Sequence, residues 1–212
     1  MGEPALRADG GPSTRQGDVP QILVVCTANR CRSPIAAAAL RRELSVLGRR
    51  ADVRSAGLMH SGETVPRDGQ AVARSHGMEL ADHRSTRIDN HLIGEADLVV
   101  ALAREHAREI VARTPGAWPR TFTLKQLVRW LEDASVPRHA DLGPWLDTVG
   151  ADRPRTVLIG ASDEDDVPDP IGRSVDVWES VVSQIEEEVA VVARRLAPLL
   201  PAAAESTRTT WS

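Results

Sequence analysis

Tyrosine is absent from this sequence, phenylalanine occurs once (Phe122), lysine once (Lys125) and cysteine twice. Two cysteines, Cys26 and Cys31, cannot frame a secreted disulfide scaffold, and a reducing cytoplasmic setting is expected. No apolar run approaches the ~20 residues of a membrane-spanning helix. The first twenty residues carry no apolar signal core, and Leu6 breaks the myristoylation pattern. Membranes are therefore excluded as partners. A net charge of −4 without a basic cluster argues against nucleic acid. The acidic run Asp163-Glu164-Asp165-Asp166 does not have the spacing of a calcium loop. A hydrophobic content of 42% nevertheless supports a full core, and 212 residues suit one α/β domain with tails.

The stretch that organises the chain is Ile22 to Pro34. Ile22-Leu23-Val24-Val25 is short and apolar, as a buried parallel strand is. It runs into Cys26, and Arg32 follows six residues later. Ser33-Pro34 reads as an N-cap and first helical residue, with Ile35, Ala39, Leu40, Leu44 and Leu47 at helical spacing and Gly48 as the stop. A strand, a tight loop and a helix N-terminus thus enclose a cysteine and an arginine. Unpaired loop and helix amides, together with the helix dipole, favour an anion there. The planar fork of Arg32 matches two oxygens of a phosphate-like dianion, and the same field favours the Cys26 thiolate, to which Ser33 can donate. Arginine supplies every basic residue but one, so the bare C-x5-R spacing is weak. The strand and the helix start around it make the pattern specific.

Cys26 to Pro34 resembles the active-site loop of low-molecular-weight protein tyrosine phosphatases, C-x-G-N-x-C-R-S-P. Cys26, Asn29, Cys31, Arg32, Ser33 and Pro34 match, whereas Ala28 stands in place of glycine. The resemblance implies that Thr27, Ala28, Asn29, Arg30, Cys31, Arg32 and Ser33 cradle phosphate, with Cys26 as nucleophile. It implies a redox role for Cys31, as reversible disulfide partner of Cys26. Asp82-His83-Arg84-Ser85 resembles the segment whose histidine braces the loop asparagine, so His83 is expected on Asn29. Asp169-Pro170 resembles the late Asp-Pro pair whose aspartate is the general acid, with Asp166 the next candidate. Met59-His60-Ser61-Gly62 falls where relatives carry a Trp-His-x-Gly pocket wall. Leu102-Ala103 replaces a Met-Asp pair, so that carboxylate is missing.

The rest of the chain alternates strands and helices. Strands are expected at Asp52–Gly57, Ala96–Leu102 and Arg120–Thr123. Helices are expected at Arg67–His76 (with Ala71, Val72 and Ser75 on one face), Arg104–Arg113 and Leu124–Leu131, and over the amphipathic run Val177–Leu196. Glu186-Glu187-Glu188 are expected on the exposed side of that last helix. This predicts an α/β fold, a single domain with a four-stranded parallel sheet flanked by helices on both faces and a phosphate-binding loop after the first strand. The domain spans 21–198, between disordered tails at 1–20 and 199–212. Residues 132–161, with Pro137, Gly143-Pro144 and Pro154, read as an insertion carrying one short helix near Trp145 to Val149. Padding is favoured over a lid. The remaining histidines (His60, His76, His91, His106 and His139) are taken as surface or packing residues.

The expected activity is hydrolysis of phosphomonoesters, on a phosphorylated protein or a small molecule, through a phosphocysteine intermediate. No cofactor and no metal are required, because arginine and amides supply the positive field. Met59 and Ile171-Gly172 stand where aromatic residues flank the site in relatives, which removes about 0.5–1.5 kcal/mol of ring pairing each. Relatives that act on phosphoarginine carry threonine at the place of Arg30, and a cationic Arg30 should repel a guanidinium. Two other readings stay open: arsenate reduction resolved by a low-molecular-weight thiol, and a phosphate-binding module without catalysis.

Overall fold

The computed structural model describes residues 19–133, 139, 141–151 and 153–203. Four strands, β1 (Gln21–Cys26), β2 (Asp52–Gly57), β3 (Leu98–Ala101) and β4 (Thr121–Thr123), form one parallel sheet in the order β2-β1-β3-β4. Side chains alternate along β1. Ile22 and Val24 enter one core with Leu98, Val100 and Phe122, while Leu23 and Val25 enter a second with Ala56, Val99 and Ala101. Burial on both faces is what makes β1 and β3 unbroken apolar runs.

Helices α1 (Arg32–Val46), α2 (Arg67–Ser75), α5 (Leu124–Glu132), α6 (Leu142–Ala151) and α7 (Val175–Leu196) close the first core. Helices α3 (Asn90–Glu95) and α4 (Arg104–Arg113) close the second. β2 and β3 lie on opposite sides of β1, so the winding reverses at that strand. The crevice created by such a reversal opens beyond the carboxyl end of β1, where Cys26 sits.

Several expectations need correcting. Helix α1 begins at Arg32, and Cys31 rather than Ser33 is its N-cap. Pro34 is tolerated because first-turn amides have no intrahelical partner. In α2 the buried side chains are Val72 and Ala73, with Ala71 and Ser75 exposed. Gly69 replaces them on the packed face, where a Cβ would lie 2.5 Å from the Trp178 ring of α7. Helix α3 was not expected, although the Asp89 carboxylate caps it by accepting from Leu92 N–H. Glu186 is not solvated: it pairs with Arg42 of α1 and with His76 after α2.

Residues 20 and 199–203, expected in the tails, are joined to the domain. Pro20 is buried and its carbonyl accepts from Asp52 N–H, whereas residues 1–18 lie outside the described residues. Leu199 and Leu200 extend the apolar face of α7 into the core. Pro201 and Ala203 then hydrogen-bond to Arg50 and Gly48, and residues 204–212 lie outside the described residues.

Within 132–161, residues 134–138, 140 and 152 are outside the described residues. α6 is longer than the short helix expected. It buries Leu142, Trp145, Leu146 and Val149 and packs on the 3₁₀ turn Pro115–Arg120 that precedes β4. Trp145 meets Phe122 at 6.1 Å between ring centroids, and a Cβ on Gly150 would lie 2.5 Å from the Pro119 carbonyl oxygen. The Arg153 guanidinium lies 4.1 Å from the Trp118 ring centroid and 3.8 Å from that of Phe122. This segment covers the β4 edge of the sheet.

Candidate active site

Cys26 ends β1 and is buried, with Sγ 3.0 Å from Ser33 Oγ. Because α1 starts at Arg32, the Ser33 hydroxyl is not used as a cap. It turns inward to Cys26, Asn29 Nδ2 (3.0 Å) and the Ala56 carbonyl (3.3 Å). Asn29 supplies the turn of the loop. It is the one non-glycine with positive φ (+53°) among the described residues, a conformation asparagine tolerates. Ala28 has no positive φ, which explains how a methyl fits where glycine was expected.

The Asn29 side chain is fully committed. Its Nδ2 donates to Ser33 and to Ser55 Oγ (2.9 Å), and its Oδ1 accepts from Thr86 N–H (2.8 Å). His83 Nε2 lies 2.8 Å from the Asn29 main-chain oxygen, and burial pushes its pKa below the ordinary imidazole range. On the other side β2 presses against the loop. A Cβ on Gly57 would lie 2.6 Å from Asn29 N and 2.7 Å from Ala28 C, so only glycine allows this approach. Leu58 and Met59 N–H groups both donate to the Thr27 carbonyl.

Arg32 is buried, and three bonds fix its plane. Nη1 donates to the Val167 carbonyl (3.1 Å), and Nη2 to Thr27 Oγ1 (2.9 Å) and to Asp169 Oδ2 (2.7 Å). Nε is buried without a partner, as expected of a donor reserved for a ligand oxygen. Asp169, 137 residues away in the chain, is thereby brought to the loop, its carboxylate partly exposed and its Oδ1 accepting from Ile171 N–H.

The segment before Asp169 is anchored by two neighbours. Asp165, its side chain 1% exposed, accepts from Arg104 Nε, Gln126 Nε2 and Arg129 Nη2. Asp166 accepts from Arg104 N–H (2.7 Å) and Ser162 N–H (3.0 Å). Both Asp166 oxygens are thus engaged by backbone amides. Asp166 caps α4, whose N-cap is Ala103, and so supplies from a distant loop a carboxylate that the Leu102-Ala103 pair lacks. Val167 N–H donates to the Leu102 carbonyl and completes the anchorage.

Cys31 is a buried free thiol, pushed up by burial and by the negative charge of Asp169 and Cys26. Arg30 points outward, its Nε donating to the Thr64 carbonyl and its Nη1 3.5 Å from Glu63. Met59 and Ile171 are exposed aliphatic residues, 48% and 41% accessible. Gly57, Ser55, Asp165 and His106 were not anticipated as site residues. For His106 a signal existed, since it lies in the first turn of the helix after a strand adjacent to β1.

A thiol at the end of a parallel strand, an arginine whose buried Nε has no partner and an aspartate delivered from a late loop define a cysteine-based phosphatase site. The family model described as low molecular weight phosphotyrosine protein phosphatase matches residues 21–142. The chain belongs to that family. It is 36% identical over 118 residues to the low molecular weight protein-tyrosine-phosphatase Etp of Escherichia coli K12, covering 55% of this chain and 74% of that one. It is 40% identical over 109 residues to the protein-arginine-phosphatase of Geobacillus stearothermophilus, covering 51% and 71%. The solved structure of the YwlE arginine phosphatase from G. stearothermophilus aligns with TM-score 0.62 at 30% identity, over 84% of this chain and 92% of that one.

Proposed function

We propose that this protein is a cysteine-dependent phosphoprotein phosphatase that prefers an aryl phosphomonoester to phosphoarginine. The observation that supports the reading is the Arg32–Asp169 contact at 2.7 Å, which joins the late Asp-Pro segment to the loop that follows Cys26. The phosphoryl group of the substrate enters the loop, and its oxygens accept hydrogen bonds from Arg32 Nε and the loop amides. One of its oxygens replaces Asp169 on Nη2, releasing that carboxyl toward the leaving group. The Cys26 thiolate attacks phosphorus, the P–O bond to the leaving group breaks, and protonated Asp169 delivers its proton to the departing oxygen. The Asp169 carboxylate then takes a proton from water as that water attacks phosphocysteine. The P–S bond breaks, and inorganic phosphate and the thiolate result. Ser33 steadies the sulfur, while Asn29 and His83 keep the loop in shape.

The substrate preference rests on Arg30 at the rim. Its charge opposes a guanidinium leaving group, although Glu63 offsets part of it. Met59 and Ile171 offer aliphatic contact rather than ring stacking to an aryl group, so phosphotyrosine selectivity is weak. Cys31, buried beside Cys26, is the partner for a protective disulfide, which suits a reducing cytoplasmic setting. No helix among the described residues is long and apolar enough to cross a membrane.

The test is turnover of an aryl phosphate at mildly acid pH by wild type, Cys26→Ser and Asp169→Asn. Loss of turnover in the first variant and a strong reduction in the second are expected. An inert wild type that still binds phosphate would overturn the hydrolase reading and leave a binding module. Efficient turnover of a phosphoarginine peptide would overturn the preference.

A further inference from the structure

His106 is buried beside the site, yet the steps above give it no task. It sits in the first turn of α4, is fully inaccessible, and places Nε2 2.9 Å from Thr27 Oγ1. That hydroxyl oxygen also accepts from Arg32 Nη2, which in turn donates to Asp169. Four side chains from three segments of the chain therefore form one line: His106, Thr27, Arg32 and Asp169.

Packing alone does not account for an imidazole here. Its Nδ1 is buried with no partner, a cost that a leucine of similar volume would not carry. Burial, together with the charges of Arg32 and Arg108, pushes its pKa down to about 3, so the ring is neutral wherever the enzyme works. Nε2 also lies 3.3 Å from the Glu105 carboxylate, which favours the tautomer with the proton on Nε2. Thr27 Oγ1 then takes one hydrogen from His106 and one from Arg32. Both of its lone pairs are filled, and its position is fixed from two sides.

We propose that His106 is a positioning residue for the anion clamp: by pinning the Thr27 oxygen it sets the plane of the Arg32 guanidinium, so that Nε faces the bound oxyanion. A guanidinium recognises two phosphate oxygens only in the correct plane, and rotation about its last side-chain bond would turn Nε away. Val167 and Thr27 grip the two outer nitrogens, and His106 is the group that keeps Thr27 from following Arg32 if it turns. This inference rests on the phosphatase reading for its catalytic consequence but not for its effect on anion binding.

The experiment compares wild type, Thr27→Val, His106→Leu, His106→Gln and the double variant Thr27→Val/His106→Leu. It measures the Kd for inorganic phosphate by calorimetry, and kcat and KM on an aryl phosphate. His106→Leu and Thr27→Val should each raise the phosphate Kd and KM about tenfold, with a smaller loss in kcat. The double variant should be no worse than either single one, because the two residues act as one unit. His106→Gln, which can present an N–H at the place of Nε2, should restore most of the affinity. Wild-type Kd in His106→Leu, or penalties that multiply in the double variant, would overturn the proposal. Should His106→Leu fail to fold, ¹⁵N NMR of the imidazoles in wild type and Thr27→Val decides. The resonance of a histidine that stays neutral between pH 5 and 8 must move when the hydroxyl is removed, and an unmoved resonance refutes the pairing. An inert wild type would refute the hydrolase reading, while the phosphate affinities would still judge this one.

Discussion

Gly57→Ala adds a single methyl group directly against the phosphate-binding loop. Its φ is not in the left-handed region, so the backbone itself would accept alanine. The obstacle is contact. The added Cβ would meet Asn29 N at 2.6 Å, Ala28 C at 2.7 Å and the Thr27 oxygen at 2.9 Å, all of them main-chain atoms that cannot rotate away. Restoring ordinary contact requires the loop to retreat from β2 by about 0.8 Å. Overpacking of this kind costs about 1–3 kcal/mol of stability. A chain of this size should lose ~2–4 °C in Tm for each kcal/mol. The catalytic cost should be larger in proportion, since a displacement near 1 Å at a reacting centre costs about 10²-fold in rate. The assay is kcat/KM on an aryl phosphate beside the Kd for inorganic phosphate and a thermal melt. Gly48→Ala is the control, because its φ of +62° makes alanine strained while nothing lies within 4 Å of the new methyl. That variant should lose about 1–2 kcal/mol of stability and no activity. Wild-type kcat/KM and phosphate Kd in Gly57→Ala would show that the loop does not depend on this close approach.

Asp165→Ala should lower stability by about 3 kcal/mol, because it leaves the Arg104 guanidinium without its buried partner. It should also reduce kcat by loosening the segment that carries Asp169, as chemical melts and steady-state rates will show. Burial raises the Asp165 carboxyl, but hydrogen bonds from Arg129, Arg104 and Gln126 outweigh it and hold the group below the usual aspartate range. Its contribution is thus present above the unfolded pKa and lost as pH falls through the folded one, so acid unfolding should start at higher pH in Asp165→Asn. His76 has the opposite sign: the hydrogen bonds it donates to Glu179 and Glu186 raise its pKa. Its contribution, under ~1 kcal/mol for a partly exposed pair, is full below the unfolded value and fades as pH rises through the folded one. The melting difference between wild type and His76→Gln should vanish in alkaline buffer. Asp169→Asn should lower kcat about 10²–10⁴-fold for alkyl phosphates and much less for an aryl phosphate with an acidic leaving group.

The parts of the site that were legible in the sequence are those whose residues are neighbours in the chain. Cys26, Arg32 and the helix after them are read directly, because strand, loop and helix N-terminus follow within a dozen residues. Asp169 was found only through resemblance, since nothing local tells one carboxylate in an acidic run from another. Ser33 was misread for an instructive reason. Its cap propensity is real, but Cys26, Asn29 and the Ala56 carbonyl compete for the same hydroxyl and tertiary contact wins. Ala103 looked like a lost carboxylate, yet Asp166 fills the capping role from 62 residues away. His106 was passed over because Thr27, which gives it meaning, lies 79 residues earlier in the loop after β1. The segment around Trp145 was legible as a short helix but not as one packed on the turn before β4, which depends on Pro119 and Phe122 being there to receive it.

The loop is held in shape by the protein's own groups. Asn29 is fixed by Ser33, Ser55, Thr86 and His83, and β2 presses on the loop without a side chain between. Little ordering remains to be done when an anion arrives, so affinity is spent on charge and tetrahedral shape rather than on folding the seat. Such a seat does not distinguish the phosphoryl group of a substrate from the phosphate it leaves behind. Released phosphate, and any tetrahedral oxyanion of like size and charge, competes for the same place. The rigidity that readies the seat for a phosphoryl group should thus make inorganic phosphate a competitive inhibitor, which rates measured against added phosphate will show.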